Sequence, residues 1–311
     1  MVVRVKTAAL GLAIMGGCLL AQLLRGTAVR PAVLRAAGSS AQAGRAAAHT
    51  CDFPSFRAGD PAAVAAAQEG PVLLTGWDTP YRIWSERAFM ARHGGLPQPK
   101  PFAEDFTGTP HTLDARSGAN VTTREFLAVA RAEGAHRLLF TYSRNNPAFF
   151  EAIGSEWSHP VAIADSMRRG GRTVLDTQFS AAERMAQHYF HDHREAWLGL
   201  VRGRKWWWMM SPDWDAQSAG GKAFLRRTKQ QGGSCSFLRD GPPEPAPPAL
   251  GGEGALKWRR CLQLPGEVVW FPDAWWHATC SLDHWTVGVG EQIMDPNGLA
   301  GPPQVDGVDA R

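Results

Sequence analysis

The last third of the chain is cut into pieces too short for helices. Runs of apolar and β-branched residues at Cys261 to Leu264, Glu267 to Phe271, Trp275 to Ser281 and Thr286 to Val289 follow one another, with Pro265-Gly266 and Pro272-Asp273 between the first three. Proline cannot donate to a strand ladder and Gly and Asp favour turns, so these read as four short strands in succession. Trp197 to Val201, Arg202-Gly203-Arg204 and Lys205 to Met210 repeat the grammar, and are expected to form a hairpin with Gly203 in its turn. The pattern predicts a mainly β fold with flanking helices, a β-barrel or jelly roll. Its 13 Trp, 22 Pro and 33 Gly suit that architecture better than a helical bundle.

Upstream, Pro71 to Trp77 reads as a buried strand and Leu138 to Tyr142 as another. Thr122 to Ala132 reads as an amphipathic helix opened by Thr122 or Thr123, with Glu125 in its first turn. Together they form an expected N-terminal layer supporting the barrel. A domain is expected over residues 51–294, with a barrel core near 186–292, a Pro- and Gly-rich exposed insertion at 241–254 and a flexible tail at 295–311. No internal repeat is apparent.

The first 50 residues carry an address. Arg4 and Lys6 precede an uncharged apolar run from Thr7 to Leu24, which has the form of a secretory signal and is also long enough for a single N-terminal membrane anchor. The Ala- and Arg-rich stretch from Gly26 to Thr50 reads as a linker, or as the second half of a two-step address ending in a plastid. The expected compartment is thus the secretory pathway, in the endoplasmic reticulum lumen or anchored to its membrane, with a plastid as the alternative. Cys51, Cys235, Cys261 and Cys280 permit two disulfides in three connectivities that the sequence does not rank. Asn120-Val121-Thr122 is a glycosylation acceptor in such a compartment.

Charge narrows the partners. Six of the 33 basic residues and none of the 29 acidic ones lie in residues 1–51, so the remainder is slightly acidic and lacks the basic footprint of a nucleic-acid binder. No nucleic-acid partner is expected, and no nucleophile elbow or P-loop appears.

The candidate chemistry lies in the segment His191-Asp192-His193-Arg194-Glu195. In a strand, alternate side chains share a face, so His191, His193 and Glu195 would point one way and two of them can grip a metal ion. His277, at the start of the strand after the second turn, supplies a third imidazole, because a closed barrel can bring that strand beside the first. His188, three residues before His191, falls off that alternating face and is expected in a loop or at a helix end. The tryptophans at 206–208 and 275–276 are expected mostly in the core.

Phe190 to Trp208 (FHDHREAWLGLVRGRKWWW) and Leu264 to Ala278 (LPGEVVWFPDAWWHA) resemble the two metal-bearing segments of the JmjC family of Fe(II)- and 2-oxoglutarate-dependent oxygenases, within the cupin superfamily. Pro71 to Trp77 is similar to that family's first barrel strand, and the resemblance runs from about Gly70 to Gln292. It implies a double-stranded β-helix and Fe(II) held by His191 and His277. It further implies 2-oxoglutarate as cosubstrate, with Lys205 on its distal carboxylate, and hydroxylation of a protein side chain with release of CO₂ and succinate.

One position departs from the family pattern. Catalytic members carry His-x-Asp or His-x-Glu, whereas His193 stands here, as in the His-x-His pattern of the family's lumenal branch. Imidazole for carboxylate alters the charge of the metal unit by one. Four outcomes follow: a three-histidine oxygenase; an oxygenase whose carboxylate is Glu195; a noncatalytic interaction or scaffold protein; or, ranked last, a three-histidine zinc site for hydrolysis.

Overall fold

A computed structural model describes residues 50–98, 121–132, 138–170, 173–214, 216–230, 233–241 and 258–294, all within the compact unit Ala48–Arg311. The apolar leader and its linker, Asn120, most of the insertion and the tail lie outside them. Among the described residues no helix is long and apolar enough to cross a membrane.

In chain order the elements are β1 (Ser55–Arg57), α1 (Ala62–Glu69), β2 (Val72–Thr75), α2 (Glu86–Arg92), β3 (Pro97–Gln98), β4 (Val121–Thr122), α3 (Thr123–Ala132), β5 (Leu138–Tyr142), α4 (Pro147–Gly154) and α5 (Val161–Gly170). They continue with β6 (Thr173–Ala182), β7 (Gln187–His191), β8 (Ala196–Arg202), β9 (Lys205–Met210), α6 (Ala219–Gln230), β10 (Arg259–Gln263), β11 (Glu267–Phe271), β12 (Trp276–Ser281) and β13 (Thr286–Met294). Helix α3 opens on a reciprocal cap: Thr122 N–H donates to Glu125 Oε2 at 2.8 Å and Glu125 N–H to Thr122 Oγ1 at 3.2 Å.

Two sheets make the barrel, one of seven strands in the order β1-β2-β11-β8-β13-β6-β5 and one of four in the order β10-β9-β12-β7. From β6 to β9 and from β10 to β13, each strand lies in the opposite sheet from the one before it. This is a jelly roll of the cupin type, mainly β with flanking helices. The alternation corrects one expectation: Trp197 to Met210 is not a hairpin, because β8 pairs with β11 and β13 while β9 pairs with β10 and β12. Gly203 turns a corner between sheets, at φ 75°, where an added Cβ would come within 2.5 Å of the Thr286 hydroxyl. The expected N-terminal layer is likewise absorbed into the barrel, since β2 joins the large sheet beside β11 and β5 joins it beside β6.

Side chains alternate across each strand, and three apolar layers result. Val269 and Phe271 of β11 face inward with Leu198, Trp207 and Met209, between the sheets. Val268 and Trp270 face outward, under Ala63, Phe89, Phe149 and Ile163 of the helices. On the far side, Trp208, Ala278 and Phe190 face outward beneath Phe224 and Phe237. With both faces of both sheets covered, the strands read as nearly continuous apolar runs. Of the three disulfide connectivities, the one formed is Cys51–Cys261 with Cys235–Cys280.

Candidate metal centre

Strands β7 and β12 pair antiparallel with His191 opposite His277. Since Trp276 and Ala278 belong to the outer cluster, His277 points into the barrel, and since Phe190 does too, so does His191. The next aligned pair is Thr279 with His188, so one residue of β12, Ala278, opposes two of β7, Tyr189 and Phe190. That is a β-bulge, and it returns His188 to the inner face. The His188 ring centroid lies 3.9 Å from that of His191. The expectation that His188 would fall in a loop or helix end, off the face of the other imidazoles, is thereby corrected: strict period-two counting fails where the strand takes in an extra residue.

Strand β7 ends at His191, so His193 reaches the site from the link to β8 rather than from a strand. The turn before β12 holds that link in place. Ala274 N–H donates to the His193 carbonyl at 3.0 Å, and Asp273 accepts from Glu195 N–H at 2.5 Å. The two sequence segments are thus tied to each other as well as facing each other.

One ring nitrogen from each of His191, His193 and His277 lies within 4.8 Å of the other two. In all three, Nδ1 sits beside a backbone carbonyl: Tyr189 for His191 at 2.7 Å, Arg194 for His193 at 2.6 Å and Trp275 for His277 at 2.9 Å. A carbonyl only accepts, so each Nδ1 carries the proton and each Nε2 presents a lone pair. Burial is the first cause holding all three imidazoles below the usual histidine range, and mutual repulsion adds to it at His191 and His277. Three neutral imidazoles with their second nitrogens occupied form a donor set that fits a divalent cation. Phe271 and Trp207 wall it, with ring centroids 4.6 and 5.9 Å from that of His277.

Lys205 opens β9 on the same inward face as Trp207 and Met209 and is 3% exposed. Burial draws its ammonium down to about 8, and its charge helps depress His188, which falls to about 3 with burial as the main cause. A buried cation thus lies near enough to His188 of β7 for its charge to be felt there. Glu195 stands apart from the cluster: its Oε1 accepts from the indole N–H of Trp270 at 2.9 Å, and Trp270 belongs to the outer layer of the large sheet.

No family model matches the chain. Over 94 residues it is 33% identical to JmjC domain-containing protein 8 of Homo sapiens, a stretch that covers 30% of this chain and 29% of the human protein. The findings support a JmjC-like family. The matched stretch is under a third of that relative's length, so the relative's fold and site inform this chain only where the residues themselves agree.

Within this barrel, four contributors are not legible in the sequence as site residues. His188 was hidden by the bulge. Asp273 was legible only as a turn residue and Ala274, which holds a left-handed φ of 61° and donates its N–H to His193, not at all. The orientation of Trp207 rests on Gln263, whose Oε1 accepts from the indole at 2.8 Å while its amide donates to the carbonyls of Leu198 and Glu267.

Proposed function

We propose that this chain is an Fe(II)- and 2-oxoglutarate-dependent oxygenase of the JmjC type that hydroxylates a side chain of a protein substrate. The single observation behind this reading is a cluster of three neutral, Nδ1-anchored imidazoles inside a barrel whose inward face also carries one buried lysine, Lys205. His191, His193 and His277 would hold the metal, and Lys205 the distal carboxylate of 2-oxoglutarate. When bound, the metal supplies the activation of O₂ that side chains cannot provide. The protein's own contribution is placement: Tyr189, Arg194 and Trp275 carbonyls fix the imidazole tautomers, and Lys205 offers a compact cation to a dianion. Phe271 and Trp207 exclude water beside His277. A triad with no carboxylate leaves the charge of a divalent ion unbalanced, which favours an anionic ligand in the remaining positions.

A second reading has an observation of its own. His193 stands where catalytic relatives of the JmjC family are expected to carry an acid, and the neighbouring Glu195 is engaged by Trp270. These favour a noncatalytic partner-binding module of the family's lumenal His-x-His branch. The two disulfides, which persist in oxidising surroundings, support work in the secretory lumen for either reading.

Metal analysis of the purified full chain, joined to an assay of 2-oxoglutarate-dependent succinate release, separates the two. Iron binding abolished in His191→Ala and His277→Ala, with succinate release lost in Lys205→Ala, supports the oxygenase. Failure to take up iron under anaerobic loading overturns it. Activity gained on His193→Asp in an otherwise silent chain favours the noncatalytic reading.

A further inference from the structure

The bulge that aims His188 and His191 inward lies on an edge strand, for among the described residues β7 has only β12 as a ladder neighbour. Register there decides function: a one-residue slip would turn His191 outward and bring Phe190 in. The four-residue stretch 233–236, which follows α6, packs across β7 and β12 on the outer layer of the small sheet.

Each residue of that stretch touches one of the two strands, or closes the stretch on itself. Cys235 is bonded to Cys280 of β12, three positions beyond His277. Its N–H donates to the side-chain oxygen of Gln187, the first residue of β7, at 3.0 Å. The buried hydroxyl of Ser234 donates to the Thr279 carbonyl at 2.6 Å and lies 3.4 Å from the His188 carbonyl. Thr279 and His188 are the aligned pair that closes the bulge. Gly233, at φ 72°, comes so near Gln187 that an added Cβ would meet its side-chain oxygen at 2.4 Å, so a side chain there would displace the Gln187 amide and strain the backbone. Ser236 Oγ donates back to the Gly233 carbonyl at 2.7 Å. The other disulfide, Cys51–Cys261, sits on β10 at the opposite edge of the small sheet and touches neither strand of the site.

We infer that Ser234 and the Cys235–Cys280 disulfide form a positioning clip that fixes the β7 bulge and so presents His191 to a metal ion. The inference rests on the metal reading above, but the register of β7 can be read without metal. The clip acts through placement alone, since neither Ser234 nor the disulfide belongs to the donor cluster.

The test uses the full chain and Co²⁺ as probe, followed by its visible absorption, together with amide hydrogen exchange. Cys235→Ala/Cys280→Ala is expected to weaken Co²⁺ binding by about tenfold or more, the size of effect seen when groups that orient metal ligands are removed. Exchange over 187–191 should accelerate while that over β2, β8 and β11 does not. Cys51→Ala/Cys261→Ala, which also removes one disulfide, should leave Co²⁺ affinity and β7 exchange as they are. Ser234→Ala should reproduce part of the loss and Ser234→Thr restore it. These Ser234 variants carry the test where the double cysteine variant fails to fold. Unchanged affinity and unchanged exchange at 187–191 in the clip variants overturn the proposal. If the natural chain takes up no Co²⁺, the metal reading fails instead, and exchange at 187–191 alone decides the clip.

Discussion

Two histidine settings on either side of the large sheet differ by one carboxylate. On the helix-covered outer side, His159 Nε2 lies 2.7 Å from Glu291, a buried acid on β13, and that hydrogen bond holds the imidazole above its ordinary range. Inside the barrel, His191, His193 and His277 hydrogen-bond to backbone carbonyls and, among the described residues, to no acid; burial holds them below it, opposed by the charge of Asp273 only at His193. A histidine given an acid keeps its proton and ties two elements together. Histidines hydrogen-bonded to carbonyls instead stay neutral and keep their lone pairs. The fold therefore separates its roles by sheet: the large one carries the ion pair and the broadest aromatic packing, while the small one carries the donors and the buried lysine.

The largest way to break that division is to attack the large sheet. Phe179 is fully buried and stacks on Phe89 with centroids 5.3 Å apart and planes 7° from parallel. Phe179→Ala should lower the unfolding free energy by about 3–5 kcal/mol in urea titration. Metal affinity at temperatures where the variant remains folded should be unaltered. A matching collapse of metal binding would show that the two regions are not separable.

The reverse change should have the reverse profile. His191→Ala or His277→Ala removes a donor but little apolar packing, and should reduce Co²⁺ or Fe²⁺ affinity by about a hundredfold, beyond what loss of an orienting neighbour costs. The melting temperature of the metal-free chain should hardly fall. Affinity retained in both variants would mean that the cluster is not the metal site.

How much of this was legible follows from what each signal measures. Lys205 to Met210 and Leu138 to Tyr142 match β9 and β5 residue for residue, because apolar runs bounded by turn residues are local facts. The cap at Thr122 and Glu125 was local as well. Pairing is not local. A tight turn such as Arg202-Gly203-Arg204 looks the same whether the chain doubles back in one sheet or crosses to the other, so a hairpin was expected where a corner stands. His191, His193 and His277 were found by residue type and barrel closure, but the reason given for His193 failed: β7 stops at His191, and His193 arrives through a loop pinned by Ala274. The same stop sends Glu195 to Trp270 and leaves it outside the cluster. The bulge at His188 and the pairing of four cysteines depend on three-dimensional neighbours that spacing does not encode.

Acid titration sharpens the contrast, since the two settings have opposite signs. Imidazoles depressed in the folded state add nothing at high pH, and destabilise the metal-free chain as pH falls from about 6.5, the unfolded value, toward the lower folded ones. His159, raised in the folded state, contributes stability that is fully present below about 6.5 and is lost as pH rises through its folded value. Melting temperatures of metal-free natural chain and His159→Gln should therefore diverge most in mild acid and converge in alkali. In His191→Ala the acid-side decline should be shallower. A His159→Gln difference that is the same at every pH would remove the ion pair from the account.

The smallest expected effect lies at the seam between the two segments. Ala274 holds a left-handed φ of 61°, which costs an L-residue with a Cβ roughly 1–2 kcal/mol. Glycine would relieve that cost but give back about 0.5–1 kcal/mol in unfolded-chain entropy, so Ala274→Gly should raise stability by at most about 1.5 kcal/mol. Its N–H still donates to the His193 carbonyl, and metal affinity should not move. Ala274→Pro keeps a side chain but removes that donor and demands a negative φ. It should therefore loosen His193 and weaken metal binding while the large sheet, probed by amide exchange over β8 and β13, stays protected. If glycine lowers metal affinity as much as proline does, the rigidity of the turn, and not the single hydrogen bond, is what holds His193 toward the other two imidazoles.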